Sequence, residues 1–383
     1  MCVAFEAENN TMVTYKALYE AYMRCRKHKR NTHNALAFEY NLIENLSDLE
    51  TSLNTFSYTP SRSVCFLTTS PKLREVFAAD FRDRVVHHLI VPILERIFEP
   101  IFIYDSYSNR RDKGTHKAVK RAQKFSRATT YYLQLDIRNF FYSIEKMRLF
   151  NMLKNELIKR YHKVADTTDM TLPKMLWLLN KIIFHDVTNG VTIKGVRKLI
   201  VRLPDHKTLF KVPKTHGLHI GNLTRQFFAN VYMNGFDNFV KRKLKAKYYL
   251  RYVDDFVLFS YSRVQLEQWY VAISNYLHHE LGLRLRDHHR LRANREGLDF
   301  LGYIIRPHYI LSRQRVVNNF KYKKAYFLDR YEKQQGKMSL EEIKRFLSVR
   351  ASFLGHIKHA NSHNLYQKVG VLNEVNPFEY DKV

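Results

Sequence analysis

The sequence predicts an α+β protein on three observations. Long stretches with apolar residues at helical spacing alternate with short, apolar, β-prone runs. Hydrophobic residues make up 45% of the 383 residues, enough to bury a large core. Only 12 Gly and 9 Pro punctuate the chain, which excludes collagen-like, low-complexity and linker-rich architectures.

In chain order, apolar residues recur at helical spacing through TYKALYEAYMRCRK and again through NALAFEYNLIENLSDLETSL, predicting two helices over roughly residues 12–56. RSVCFLT at 62–68 reads as a strand and is followed by a Ser-Pro turn at 70–71. DFRDRVVHHLIVPILERIFE at 80–99 reads as a largely buried helix, with Pro92 as a point of kinking. YYLQLDIRNFFYSI at 131–144 begins as a strand, and about 146–184 is helical. Residues 187–216 are irregular and β-prone, punctuated by Gly190, Gly195, Pro204 and Pro213. Helix returns at 221–247, then two short strands about a tight turn at 248–260. A helix at 263–281, short strands at about 283–306 and basic helices at 313–333 and 339–370 complete the pattern.

Charge narrows the partners. With 64 Lys+Arg against 36 Asp+Glu the formal net charge is +28, a standing attraction for polyanions, and 25 Tyr and 26 Phe offer rings on which bases stack. The cations cluster. Residues 105–127 hold eight Lys/Arg against two Asp, 192–214 hold seven against one Asp, and KRKLKAKYYLR at 241–251 holds six with no acid. Any one cluster fits a solvated helix face; together they fit a phosphate-tracking channel. Cys2, Cys25 and Cys65 are too few and scattered for a disulfide framework or zinc site, so a reducing, cytoplasmic setting is expected. No stretch reaches the ~18 apolar residues of a membrane span, and MCVAFEAENN lacks a signal pattern.

Three aspartates in apolar settings carry the chemistry. In YYLQLDIRNFFYSI, strand alternation puts Leu133, Leu135 and Ile137 on one face and Gln134 and Asp136 on the other. In KYYLRYVDDFVLFS, Asp254 and Asp255 interrupt two apolar runs, the pattern of a hairpin with acids at its turn. A plain β-turn is the simpler account of an Asp-Asp pair. Adjacent carboxylates between Tyr-Val and Phe-Val nevertheless repel and resist desolvation unless a cation lies between them. Divalent ions resolve that conflict and suit phosphoryl transfer, which needs placed charge more than a nucleophilic side chain. The sequence contains no G-x-x-x-x-G-K-[ST], H-E-x-x-H or G-x-S-x-G.

Tyr252-Val253-Asp254-Asp255, preceded by Leu135-Asp136-Ile137-Arg138-Asn139-Phe140-Phe141, resembles the palm of a reverse transcriptase. The resemblance extends in order from Pro71-Lys72-Leu73-Arg74 through 80–88 and 107–116. It continues to Gly217-Leu218-His219-Ile220-Gly221-Asn222-Leu223-Thr224-Arg225-Gln226 and Phe300-Leu301-Gly302-Tyr303. Within that family the chain is most similar to the bacterial and phage enzymes of diversity-generating retroelements. Ile220 stands where most reverse transcriptases carry Gln, and Gln226 where they carry Pro. Phe353-Leu354-Gly355-His356 and Ser362-His363-Asn364-Leu365 also look like that group. His219 and Arg225 depart from its usual Pro and Ser, which leaves a defence-associated or group II-like enzyme as the alternative.

The resemblance implies a right-hand polymerase: an N-terminal helical extension (1–56), fingers and palm with an antiparallel palm sheet (57–306, insertion near 187–216), and a helical thumb (307–383). It implies RNA-directed DNA synthesis through two Mg²⁺ ions, with Mn²⁺ able to substitute, on a metal set of Asp136, Ile137, Asp254 and Asp255. Lys72 and Arg74 match residues that hold the incoming dNTP triphosphate, against a reading as exposed charge. Phe141 matches the ring that closes the space of a ribose 2′-hydroxyl, against a reading as plain core. Ile220, Gly221 and Gln226 would line the base-pair pocket, and Ile220 would weaken fidelity at template adenines. Arg110, Arg111 and Lys113 would grip nucleic-acid backbone, and Arg225 would lie on the template side. Arg313, Arg315, Lys321, Lys323 and Lys324 would bracket the RNA/DNA duplex. The implied partners are a structured template RNA and a small basic accessory protein, with no membrane. A non-catalytic RNA-binding scaffold is the rival from another class; the three aspartates argue against it. His356, His359 and His363 share helical spacing but lack partners for a zinc site.

Overall fold

The computed structural model describes residues 12–27, 32–69, 72–195, 197–218, 221, 223–335 and 337–369. Helices α1 (Tyr15–Arg26), α2 (His33–Tyr40) and α3 (Leu42–Asn54) open the chain. The second predicted helix is split at Asn41, whose backbone leaves the helical region (φ −118°, ψ 51°). The Asn45 amide donates across the break to the Phe38 carbonyl at 2.9 Å. Leu46, Leu49 and Leu53, at helical spacing, form the buried face of α3.

Strands β1 (Val64–Thr68) and β2 (Arg74–Ala78) pair antiparallel. Helix α4 (Phe81–Phe98) starts on Asp80, whose side chain accepts from the Arg82 N–H at 3.0 Å, and runs on through Pro92. Next come α5 (Thr115–Arg127), β3 (Tyr131–Asp136), the short α6 (Phe140–Ser143), α7 (Lys146–Arg160) and α8 (Leu172–Phe184). The stretch predicted as helix over 146–184 is thus two helices, because Thr171 caps α8 with a proline in its first turn. Strand β4 (Thr192–Lys194) pairs parallel with β1. Helix α9 (Leu223–Asn238) passes into a π-helical turn, Phe239–Lys243, before β5 (Tyr248–Tyr252) and β6 (Asp255–Ser260). Helix α10 (Arg263–Leu281) is capped by Ser262 and closed by Gly282 at φ +65°. Strands β7 (Arg290–Ala293), β8 (Leu298–Phe300), β9 (Tyr303–Ile305) and β10 (Ile310–Ser312) follow, then α11 (Gln314–Lys333), α12 (Leu340–Ile357) and α13 (His363–Lys368). The region expected to be helical from 307 therefore begins by adding β10 to β9, because Ile310 is buried on that small sheet.

The central sheet has the order β5-β6-β3-β7 and is antiparallel throughout. Its two faces follow the pleat. Leu133, Leu135, Tyr249, Phe256 and Leu258 enter the main core with α4, α7, α9 and α10. Tyr132, Leu250, Val257 and Phe259 enter a second cluster with α5 and the β8–β10 sheet. Each such side chain stabilises by ~1.5–3 kcal/mol when fully buried. Burial on both faces of β3, β5 and β6 leaves Asp136 and Asp255 at the strand ends, opposite one another. Helices α11 and α12 pack through Phe320 and Phe353, stacked at 4.0 Å. None of the described helices is long and apolar enough to cross a membrane.

Candidate active site

Pairing of β3 with β6 sets Asp136 directly opposite Asp255. Like charges in that position repel. Tyr252 and Asp255 close the hairpin, so Val253 and Asp254 form its two-residue turn. Val253 has φ +60°, which costs a β-branched residue about 1–2 kcal/mol. Arg251 offsets that cost by donating from Nη1 to the Val253 carbonyl at 2.9 Å. Its Nε and Nη2 donate to Asp237 at 2.8 and 2.6 Å, and Nη2 also to the Ser106 hydroxyl at 3.2 Å. The Arg251–Asp237 pair is 0% exposed at both ends. An ion pair between β5 and α9 therefore anchors the turn from inside. The Ile137 N–H donates to the Asp254 carbonyl at 3.3 Å, which ties the turn to the end of β3.

Burial raises the pKa of all three carboxylates. Burial pushes Asp136 up to about 6, repulsion from Asp254 adds to it, and Arg286 and Lys72 act in the other direction. Burial likewise pushes Asp255 up to about 7; the Gln134 amide, donating at 3.2 Å, opposes the rise, while Asp136 and Asp254 reinforce it. Asp254 is also raised, mainly by burial. Asp136 Oδ1 is buried without a hydrogen-bond partner, while Oδ2 pairs with Arg286 Nη1 at 3.2 Å. A buried, unpartnered carboxylate oxygen beside two further carboxylates is a donor set suited to a hard divalent cation. Among the described residues no three His, Cys, Asp or Glu side chains form a ready-made cage. Mg²⁺-type sites need none, because one or two carboxylates share the ion with water and substrate phosphate. Ile137 is buried in the core, so only its backbone carbonyl is available to a cation.

Of the other predicted residues, Lys72, Arg74 and Arg225 act electrostatically on this strand end. Lys72 and Arg74 are exposed, and their charges reach Asp136 and Asp254 respectively. Gly221, at φ +132°, lies so close to β2 that a Cβ would sit 2.5 Å from the Phe77 carbonyl oxygen. Gln226 is exposed on α9, whereas Ile220, like His219 and Asn222, lies outside the described residues. Phe141 is half-buried on α6 beside Phe140, with the Arg225 guanidinium carbon 3.3 Å from its ring centre.

The basic residues divide. Arg110 turns inward, 6% exposed, pairing with Glu99 at 2.9 Å and donating to the Ile103 and Ser106 carbonyls. Its donors are taken up by the protein, so the expected grip on a backbone is corrected at this position. Arg111 remains exposed. Lys113 donates to the Tyr104 carbonyl at 2.8 Å and lies over its ring at 3.3 Å. Arg313 is held by Asp299. Arg315, Lys321 and Lys323 are exposed on α11, and Lys324 donates to the Val369 carbonyl at 3.2 Å. His356 stacks on Tyr303 and His359 on His116, so both imidazoles are packed against rings.

Sequence reasoning missed Arg251, Asp237 and Arg286. Arg251 sits at the end of a run counted wholly as surface charge, and Arg286 lies in an unremarkable basic stretch. Gln134, by contrast, was marked by its place beside Asp136 on the same strand face.

Comparison with known proteins matches residues 69–305, more than half the chain, to the family described as reverse transcriptase (RNA-dependent DNA polymerase). Among relatives, a COX1/OXI3 intron 2 protein of Saccharomyces cerevisiae is 22% identical over 336 residues, 77% of this chain and 38% of that protein. The group II intron-encoded protein LtrA of Lactococcus lactis subsp. cremoris is 23% identical over 272 residues, 62% of this chain and 45% of that protein. The chain spans less than half the length of either relative. Among solved structures, apo telomerase from Candida tropicalis aligns at a TM-score of 0.48 and 10% identity, covering 81% of this chain and 59% of that one. Asp136 and the Asp254–Asp255 hairpin lie within the matched span, and the chain belongs to the reverse transcriptase (RNA-dependent DNA polymerase) family, with its mixed helix-and-sheet, right-hand fold.

Proposed function

We propose that the chain is an RNA-directed DNA polymerase that copies a structured template RNA into cDNA, working error-prone within a diversity-generating retroelement. The observation that supports polymerisation is the register that sets Asp136 against Asp255, with Asp254 on the adjoining turn. The retroelement reading draws on Gln226 and on the runs at 353–356 and 362–365. The group II intron-encoded relative favours a second reading, a group II-like enzyme.

Divalent cations, Mg²⁺ with Mn²⁺ as a substitute, supply when bound the charge that activates a primer 3′-hydroxyl and stabilises the leaving pyrophosphate. Asp136, Asp254 and the Ile137 carbonyl are the groups to hold them, with Asp255 assisting from the ladder. Lys72 and Arg74 neutralise the triphosphate from the β2 side. Phe141 closes the space of a 2′-hydroxyl, and Gly221 lets the α9 loop approach β2 beside the base pair. Arg111 and Lys113 hold backbone phosphate, as do Arg315, Lys321 and Lys323 on α11. We assign 1–56 to a helical extension, 57–306 to fingers and palm, and the helices that follow to a thumb. A small basic accessory protein completes the complex.

Primer extension on RNA with Mg²⁺, comparing wild type with Asp254→Ala, tests the polymerase. Extension by wild type alone is expected. Equal extension by both, or none by wild type with template RNA and accessory protein supplied, would overturn the reading. In the retroelement case the neighbouring DNA carries two near-identical repeats differing at adenines, and Ile220→Gln raises fidelity there.

A further inference from the structure

Arg225 stands where the resembled group carries a small Ser, and the structure shows what the longer side chain does. On the first turn of α9 it is 8% exposed, with its guanidinium carbon 3.3 Å from the centre of the Phe141 ring. Its Nε is buried and has no hydrogen-bond partner. Asp254 and Tyr142 act favourably on its charge and Arg74 unfavourably. Holding a guanidinium out of water with a donor unmet destabilises the fold, so its principal contact is the aromatic face.

Phe141 is confined in part by that contact. It lies on a helix of four residues whose N-cap, Asn139, is left-handed (φ 50°, ψ 36°). Its ring meets Phe140 on one side, tilted at 5.0 Å. The ring also packs against the main core and stays half-buried, so the Arg225 guanidinium over it is one of the walls that restrict its side-chain torsions.

We propose that Arg225 is a specificity-determining residue: its guanidinium lies over the Phe141 ring, holds it in the closing position, and thereby sets how strongly deoxyribonucleotides are preferred over ribonucleotides. The inference rests on Phe141 being the sugar gate. A cation–π contact biases a ring between two positions by about two- to thirtyfold, and the sugar preference should change by that factor when the contact is lost.

The test uses the full chain on an RNA template with a primer, measuring kcat/KM for a dNTP and the matching rNTP. Arg225→Ser and Arg225→Lys, which lacks the planar group, should each lower the dNTP/rNTP ratio about two- to thirtyfold. Phe141→Ala should lower it further, and adding Arg225→Ser to Phe141→Ala should change nothing more. Melting temperatures of the variants report folding; where Arg225→Ser melts early, Arg225→Lys decides. If Phe141→Ala lowers the ratio and the Arg225 variants do not, the gate stands and the role of Arg225 falls. An equal rise in KM for both nucleotides would make Arg225 a triphosphate ligand and also overturn it. If Phe141→Ala leaves the ratio unchanged, the gate reading falls and this inference with it.

Discussion

Replacing Asp237 with alanine tests whether the catalytic hairpin is anchored from inside. Asp237 accepts from Arg251 at 2.8 and 2.6 Å and from the Tyr249 hydroxyl at 2.6 Å, with no exposure on either side of the ion pair. Removing one partner of a buried pair strands the other charge, at about 3–5 kcal/mol. The lost Tyr249 hydrogen bond adds about 1 kcal/mol. Against a total stability of about 5–15 kcal/mol, that is a large fraction. Urea unfolding followed by circular dichroism should show the midpoint falling accordingly. The double variant Asp237→Leu/Arg251→Met removes both charges and should recover most of the stability, because an apolar pair of similar volume replaces a buried ion pair at little cost. It should not recover primer extension, because the Arg251 bond to the Val253 carbonyl, which holds a β-branched residue at φ +60°, is gone. A cost below about 1 kcal/mol for Asp237→Ala, or wild-type extension by the double variant, would refute the reasoning.

Three further perturbations probe the site and the buried core. Gly221→Ala places a Cβ 2.5 Å from the Phe77 carbonyl oxygen at a φ of +132°, so extension should fall at least tenfold; unchanged activity would show that the loop yields. Arg286→Ala removes a half-exposed competitor for Asp136 and should leave stability within about 0.5 kcal/mol, while lowering the Mg²⁺ concentration for half-maximal extension severalfold; a metal titration reads this. His87, 5% exposed, has its pKa pushed down to about 3 by burial. Free histidine titrates near ~6.5, so between the two values the unfolded chain binds the extra proton. Stability should therefore fall as pH drops through that window, by at most about 5 kcal/mol once below it. Urea midpoints against pH should flatten in His87→Phe, and an unaltered profile would assign the acid sensitivity elsewhere.

By itself the sequence determined the features with short-range causes. Strand alternation in YYLQLDIRN placed Gln134 and Asp136 on one face, and the Gln134 amide indeed reaches Asp255. The two apolar runs around Asp254-Asp255 specified a hairpin, and the helix at 263–281 lies between a serine cap and a glycine stop. The helix break at Asn41 was less legible, because apolar spacing continues through it, whereas Asp166-Thr167-Thr168-Asp169 and Pro173 mark the break before Thr171. Tertiary structure alone decided which charges are surface and which are core. Arg251, counted among six clustered cations, is buried because Asp237, fourteen residues away on α9, meets it. Arg110 turns inward to Glu99, Arg286 pairs with Asp136, and Arg225 lies over Phe141. Local periodicity reports the face a side chain occupies, but the worth of a charge depends on its partner and on the water excluded around it. Both are set by segments far apart in the chain and brought together only by the packed sheet and helices.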